Sequence, residues 1–256
     1  MVFISKLGFG LLIFMIISNP VLSQVKKREF FGYAFDLKTN QFLYKERYIV
    51  TYENQRLTTI VVIYTDIQNQ VIGKKVSNYQ RYPTIPLFQL EYYRNGYTEG
   101  SLYEDNGFRV FYQDKGQPKK VSKLFPFDRN ISLDSGLHPK IQMHFDDLLK
   151  GKSIKLNFAV PSQLDILQFR LYKQKEWFLK ERKTVRLILE IDNFFLRFLV
   201  EPVILDYDIQ TKELVQYIGI SNLYDENNKP YKVKIIFDHE GDGYDITTSS
   251  TYTKKY

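Results

Sequence analysis

Apolar and polar side chains alternate along several separate windows of the chain. Ile154, Leu156, Phe158 and Val160 are interleaved with Ser153, Lys155 and Asn157, and Leu167, Phe169 and Leu171 with Gln168, Arg170 and Tyr172. The same two-residue period runs through Val185, Leu187, Leu189 and Ile191, and again through Tyr231, Val233, Ile235 and Phe237. A strand turns successive side chains to opposite faces, so this pattern predicts strands with one buried face. Turn chemistry separates the runs: Asp36-Leu-Lys-Thr-Asn40, Glu53-Asn-Gln-Arg56, Asp66-Ile-Gln-Asn69, Asp105-Asn-Gly107, Asp208-Ile-Gln-Thr-Lys212 and Asp225-Glu-Asn-Asn-Lys-Pro230. Strands so close in sequence pair as antiparallel hairpins, with no room for helical crossovers.

One window changes period. Ile141, His144, Phe145, Leu148 and Leu149 recur at helical spacing, Pro139 suits a first turn and Gly151 a stop. The spacing predicts a main helix over about 137–150. The expected fold is therefore mainly β, an antiparallel curved sheet or half-barrel with one main helix packed on it. It forms a single domain over 24–240, with sub-sheets at about 29–124 and 152–238 joined by the helix, and a loose tail at 241–256.

The N-terminus follows a different grammar. Lys6 precedes an uncharged run from Leu7 to Ile17, then Ser18-Asn-Pro-Val-Leu-Ser23. That is the three-part layout of a signal peptide over 1–23, with Val21 and Ser23 small enough for cleavage before Gln24. The run is shorter than the roughly 20 residues a spanning helix needs. An exported chain without cysteine fits the envelope or periplasm of a Gram-negative bacterium better than a disulfide-forming secretory route. The formal charge of +7 falls to +6 with Lys6 removed, and lysines are spread along the chain. A mild basic excess allows peripheral contact with an anionic membrane surface; it equally keeps a β protein soluble. Nothing in it points to nucleic acid.

Aromatic residues make up 16% of the chain, which suits half-buried pleated surfaces. The residues that carry chemistry do not converge on a catalytic motif. No cysteine nucleophile, nucleophile elbow, phosphate loop or dinucleotide fingerprint occurs. His138, His144 and His239 lack metal-ligand spacing. The acidic pairs Asp146-Asp147 and Glu201 with Asp206 are open as carboxylate pairs. No catalytic residue, metal or cofactor is assigned, and a non-enzymatic role is favoured. The sharper oddities are charges inside apolar runs. Arg170 lies in Leu167–Tyr172, and Arg197 in Phe194–Glu201, where a strand would place Arg197 and Glu201 on one face. A buried charge needs a partner. Arg170, Arg197 and Glu201 are thus candidates for holding an anionic headgroup or carboxylate in a cleft, or else charges on a wet outer face.

Phe158-Ala-Val-Pro-Ser-Gln-Leu-Asp165 with Phe169-Arg-Leu171, and Leu205-Asp-Tyr207 with Tyr217-Ile-Gly-Ile-Ser-Asn-Leu223, resemble stretches of uncharacterised exported β-rich proteins of Gram-negative bacteria. Tyr33, Asp36 and Tyr44 of the first hairpin fit the same resemblance, which spans most of the chain. It implies no established activity. In architecture alone, the chain is also similar to periplasmic half-barrels that carry lipids or lipoproteins. The leading expectation is an envelope protein that binds an amphipathic or lipid-like ligand in the concavity of its sheet. The alternatives are a carboxylate-dependent envelope hydrolase and an outer-membrane β-barrel or structural protein.

Overall fold

The computed structural model describes residues 24–114, 116–193, 195, 197 and 200–240; the expected leader 1–23 and tail 241–256 lie outside them. The N-terminal half is a meander of eight strands. These are β1 (Val25–Asp36), β2 (Phe42–Glu53), β3 (Arg56–Asp66), β4 (Val71–Asn78), β5 (Leu87–Tyr92), β6 (Tyr97–Glu104), β7 (Gly107–Gln113) and β8 (Val121–Phe125). The C-terminal half opens with β9 (Ile131–Leu133) and, after a helical segment, continues through β10 (Ile154–Val160), β11 (Asp165–Leu179) and β12 (Arg182–Ile191). It ends with β13 (Val203–Asp208), β14 (Leu214–Tyr224) and β15 (Pro230–Asp238).

Among the described residues these strands form one fifteen-stranded sheet, running from β8 back to β1 and then from β15 back to β9. The seam is β1, which pairs with β2 on one side and, through Phe31–Asp36, with Val233–Asp238 of β15 on the other. All pairings are antiparallel except that of β9 with β10. The two edges, β8 and β9, are joined by residues 126–130 alone. That link spans at most about 20 Å, so the sheet is rolled on itself without its edges pairing. The two expected sub-sheets are thus one continuous surface, with the short β9 and the helical segment lying between the two meanders in sequence.

Turn residues close the hairpins as their chemistry requires. Asp36, Asp66, Asp208 and Asp225 each accept backbone N–H groups of the following turn on Oδ1. Asn40, Asn69, Lys212 and Asn228 then take positive φ to return the chain.

The predicted helix is present in two pieces, α1 (Leu137–Met143) and α2 (Phe145–Leu149), interrupted at His144 (φ −113°, ψ 11°) and preceded by a 3₁₀ turn at Asp134–Gly136. Gly151 (φ +84°) ends it, with the Lys152 N–H bonded to the Asp147 carbonyl, a Schellman close. Ile141, Phe145 and Leu148 pack on Leu156, Leu171, Val185, Leu187, Leu189, Leu205 and Tyr207, filling the concave face of the C-terminal half. The concave face of the N-terminal half carries a second core, rich in tyrosine and phenylalanine, to which Ile131, Leu133, Ala159, Leu223, Val233 and Ile235 of the C-terminal half contribute.

One expected strand is absent. Residues 192–202 connect β12 to β13, and the described part contains a short helical turn: the Arg197 N–H bonds the Asn193 carbonyl at 3.0 Å. The Asn193 side chain caps the Phe195 N–H at 3.0 Å. This local capping competes with strand pairing, and Phe195 is exposed.

Candidate functional site

Several buried ionisable groups of the N-terminal half lie on its concave face. Alternation along β2 turns Tyr44, Glu46, Tyr48 and Val50 inward, and along β6 Tyr97, Glu99 and Ser101. Register then aligns one row across five hairpin-linked strands and β7: Tyr48, Val62, Lys75, Leu90, Glu99 and Tyr112 are successive cross-strand partners. The neighbouring row runs Gly32, Glu46, Tyr64, Gly73, Tyr92 and Tyr97. Glu46, Lys75 and Glu99 therefore share one patch, with neighbours two strands, or about 10 Å, apart. Gly32 belongs to it for steric reasons: a Cβ there would lie 3.0 Å from Glu46 Oε2.

The fourth charge comes from the far end of the sheet. Leaving β9, the chain takes a positive φ of 46° at Asp134 and points its carboxylate at Lys75 Nζ, 3.0 Å from Oδ2 and 3.2 Å from Oδ1. Ser135 Oγ donates to the same carboxylate at 2.5 Å, and Asn222 Nδ2 of β14 at 3.3 Å. The Leu133 N–H bonds the Thr84 carbonyl at 3.0 Å, pinning this segment across the bore. Tyr48 Oη donates to Glu46 Oε2 at 2.6 Å and Tyr97 Oη to Glu99 Oε2 at 2.9 Å. Among the described residues neither glutamate has a cation within ion-pair distance.

Burial sets the electrostatics. It pushes Glu99 up to about 7, with the nearby charge of Asp134 adding to the rise and the Tyr97 bond and Lys75 opposing it. Burial also raises Glu46, against the Tyr48 bond and Lys75. Burial works against ionisation of Asp134 too, yet Lys75 and the Ser135 hydroxyl and amide hold it below its ordinary value. The Lys75 charge, which burial disfavours, is in turn stabilised chiefly by Asp134. The Tyr79 hydroxyl lies beside Ser77, Ser135, Asp134 and Lys75, and burial pushes it up to about 12. The patch thus combines a fixed ion pair, one carboxyl group poised near neutrality, a second raised carboxyl, and a wall of tyrosine rings.

The residues singled out by sequence lie elsewhere. Arg170 stands on the convex face of β11, opposite to Phe169 and Leu171, and hydrogen-bonds Glu190 of β12. Arg197 Nε lies 3.5 Å from Glu190 Oε1 and donates to the Ile191 carbonyl at 3.2 Å. The fold therefore brings Arg170 and Arg197 to one carboxylate. Glu201 is not with them; it pairs with Lys232 Nζ at 2.7 Å. None of the three points into the concavity. His138 and His239 are also apart from the patch. His138 Nδ1 lies 3.0 Å from Tyr207 Oη, its ring stacked on that of Tyr207, and burial lowers it to about 4. His239 Nε2 meets the Leu214 carbonyl at 2.7 Å.

A second buried polar group is structural in character. Asp206 of β13, fully buried on the convex side, receives Arg186 through two bonds of 2.8 Å, Gln216 at 2.7 Å and Trp177 Nε1 at 3.2 Å. Every acceptor direction is used. A surface depression of about 410 Å³ at the β6–β7 turn is lined by Glu104, Asp105, Asn106 and Leu124 and includes none of the interior groups.

The interior patch had a signal in the sequence that alternation alone does not rank: a glutamate two residues from a tyrosine on the same strand face, as in Tyr44–Glu46–Tyr48 and Tyr97–Glu99. What brings Lys75 and Asp134 to them is register and the return of the chain after β9.

No protein-family model matches this chain, and no curated protein matches it. Among solved structures, the β-barrel-like protein of domain of unknown function DUF1849 from Brucella abortus superimposes with a TM-score of 0.42 at 7% identity, over 86% of this chain and 97% of that one. A likeness of that size transfers no activity.

Proposed function

We propose that this chain is an exported, non-enzymatic envelope protein of a Gram-negative bacterium that holds an amphipathic ligand on the concave face of its N-terminal half. One observation carries the reading: the buried Glu46 and Glu99 and the largely covered Lys75–Asp134 pair lie on one face among tyrosine rings. Buried charges are costly to the fold, and well-packed apolar residues serve stability as well or better. Perturbed groups gathered on a concave surface are what a binding site requires. The helical segment covers the other half of the concavity, so the reading puts the ligand against the N-terminal patch. Native mass spectrometry of the protein purified gently from a periplasmic extract of its own or a related host is the test. A reproducible extra mass that extracts into organic solvent supports the carrier, and a clean apo mass sinks it. N-terminal sequencing of the same material checks cleavage before Gln24.

A hydrolase is favoured by one specific feature, the Glu99 carboxyl raised to about 7, a value suited to general acid work. Turnover of generic ester or glycoside substrates that vanishes in Glu99→Gln would establish it in place of the carrier. The arrangement argues against an outer-membrane barrel. A spanning barrel closes its sheet, whereas β8 and β9 are not paired here. The convex face carries Arg170, Glu190, Arg186 and Asp206 where a barrel would face lipid.

A further inference from the structure

We infer that the end of the rolled sheet where β1–β2, β3–β4, β5–β6 and β7–β8 turn seats on an anionic bilayer surface, with Leu37, Ile67, Tyr93 and Val121 entering its interfacial layer, whatever the concave face holds. Antiparallel pairing brings alternate connections to one end, and the β1–β15 seam puts the β12–β13 connection there too. Leu37, Ile67 and Tyr93 each open their turn, and Val121 is the first residue of β8. All four are exposed, as are Val71 at the start of β4 and Phe195 in the β12–β13 connection. None of the four contributes to either core.

Turn geometry does not force this exposure. Asp208-Ile209-Gln210 at the opposite end repeats Asp66-Ile67-Gln68, with the aspartate capping its turn in the same way. Ile209 nevertheless packs on the C-terminal core, whereas Ile67 is 59% exposed. The two-residue turns of that opposite end, Asn54-Gln55, Asp105-Asn106 and Lys180-Glu181, are polar throughout. A single exposed apolar side chain is ordinary. Here they recur on four hairpins that are neighbours in the sheet.

Spacing and charge choose the occupant. Adjacent hairpins stand two strands, about 10 Å, apart, so polar residues separate the apolar tips. A protein partner buries a contiguous apolar patch. The interfacial layer of a bilayer instead receives separate side chains and keeps the polar groups between them at head-group level. The four connections hold Lys38, Arg94, Lys115, Lys119 and Lys120 against Asp114. The flanking acids Asp36 and Asp66 face their own turns, accepting backbone N–H groups, and Asp66 also takes Arg94 at 2.7 Å. The surplus is therefore positive, the sign that anionic lipid attracts.

The chain has no cysteine, so an introduced one can carry an environment-sensitive nitrobenzoxadiazole dye. Ile67→Cys and, at the opposite end, Phe178→Cys on exposed β11 sequence are labelled in the exported chain. Each is mixed with vesicles of phosphatidylethanolamine with phosphatidylglycerol, or of phosphatidylcholine alone. Dye emission should rise severalfold for Ile67→Cys with the anionic vesicles and stay level for Phe178→Cys. In vesicle flotation, Ile67→Ser combined with Tyr93→Ser should weaken binding by about tenfold, as withdrawal of two interfacial side chains implies, with an unchanged circular dichroism spectrum. Phe178→Ser should float as the parent chain does. An equal rise at both dye positions, or flotation indifferent to the paired substitution, overturns the assignment of this end. Equal binding to phosphatidylcholine overturns the anionic part. Failure to bind any vesicle overturns the inference, and a dimer in sedimentation velocity that the paired substitution breaks would then give the surface to a second copy of the chain.

Discussion

At the scale of single residues, the interior is governed by whether a buried group keeps its charge. Glu99 titrates ordinarily near 4.5 and, folded, at about 7. The fold thus favours its protonated form, a contribution complete below pH 4.5 and lost as pH rises through 7. A shift of that size corresponds to about 3 kcal/mol. Glu99→Gln should accordingly raise the melting temperature by several degrees at pH 8 and by little at pH 5; an equal change at both would show that Glu99 does not titrate in this window. His138 works in the other direction. Its ordinary 6.5 falls to about 4 in the fold, so it favours the folded state above pH 6.5 and withdraws that support as pH falls toward 4. Asp206 makes a different case, because its partners occupy it fully. Asp206→Ala takes the bidentate carboxylate from Arg186 and should cost about 3–5 kcal/mol. Trp177, the single tryptophan of the chain, bonds this carboxylate, and its emission should change with it. Urea denaturation that leaves the midpoint unmoved would mean the network is dispensable.

At the scale of elements, close approach of neighbouring strands leaves no room for a side chain at certain glycines. A Cβ on Gly100 of β6 would fall 2.3 Å from the Phe88 carbonyl oxygen and 2.6 Å from Phe111 Cζ. Gly100→Ala therefore has to push β5 or the Phe111 ring aside, an overpacking cost of about 1–3 kcal/mol or more. Gly96, at φ +73° in the β5–β6 turn with open space around it, pays instead in backbone strain. Chemical denaturation should rank Gly100→Ala as the more damaging of the two. The turns and strands were legible at this scale because their causes are local: an aspartate that caps its own turn, and alternation along one strand. The break at His144 was not, and nothing in the residues around it accounts for the interruption.

At the scale of the whole molecule, pairing of β1 with β15 and insertion of Asp134 between Lys75 and Asn222 join the two halves. Because each half contributes to the other's buried surface, they should unfold together. Trp177 emission, which reports the C-terminal half, and far-ultraviolet circular dichroism, which reports all strands, should give coincident urea transitions. Separate midpoints would show that the halves are independent units. The seam is a long-range pairing, more than 190 residues apart in sequence, of the kind that pays loop-closure entropy before any contact rewards it.

The mainly β class, the antiparallel hairpins and the helix near residue 140 followed from the sequence alone, since periodicity and turn chemistry act over a few residues. Charges conspicuous in apolar runs, Arg170 and Arg197, were legible as residues in need of partners, but not as convex-face neighbours of one glutamate. Glu46, Lys75, Glu99 and Asp134 look unremarkable in sequence, each a single charge in a polar-apolar alternation. Only the tertiary structure decided their meeting. It depends on the register of β2 through β6 and on the return of the chain after β9, and burial then raises two carboxyl groups whose local sign is no more than a tyrosine two residues away on the same strand face. The face a strand buries follows from its own pattern; which other strand's charge lies across that face is set by pairings that close over the entire chain.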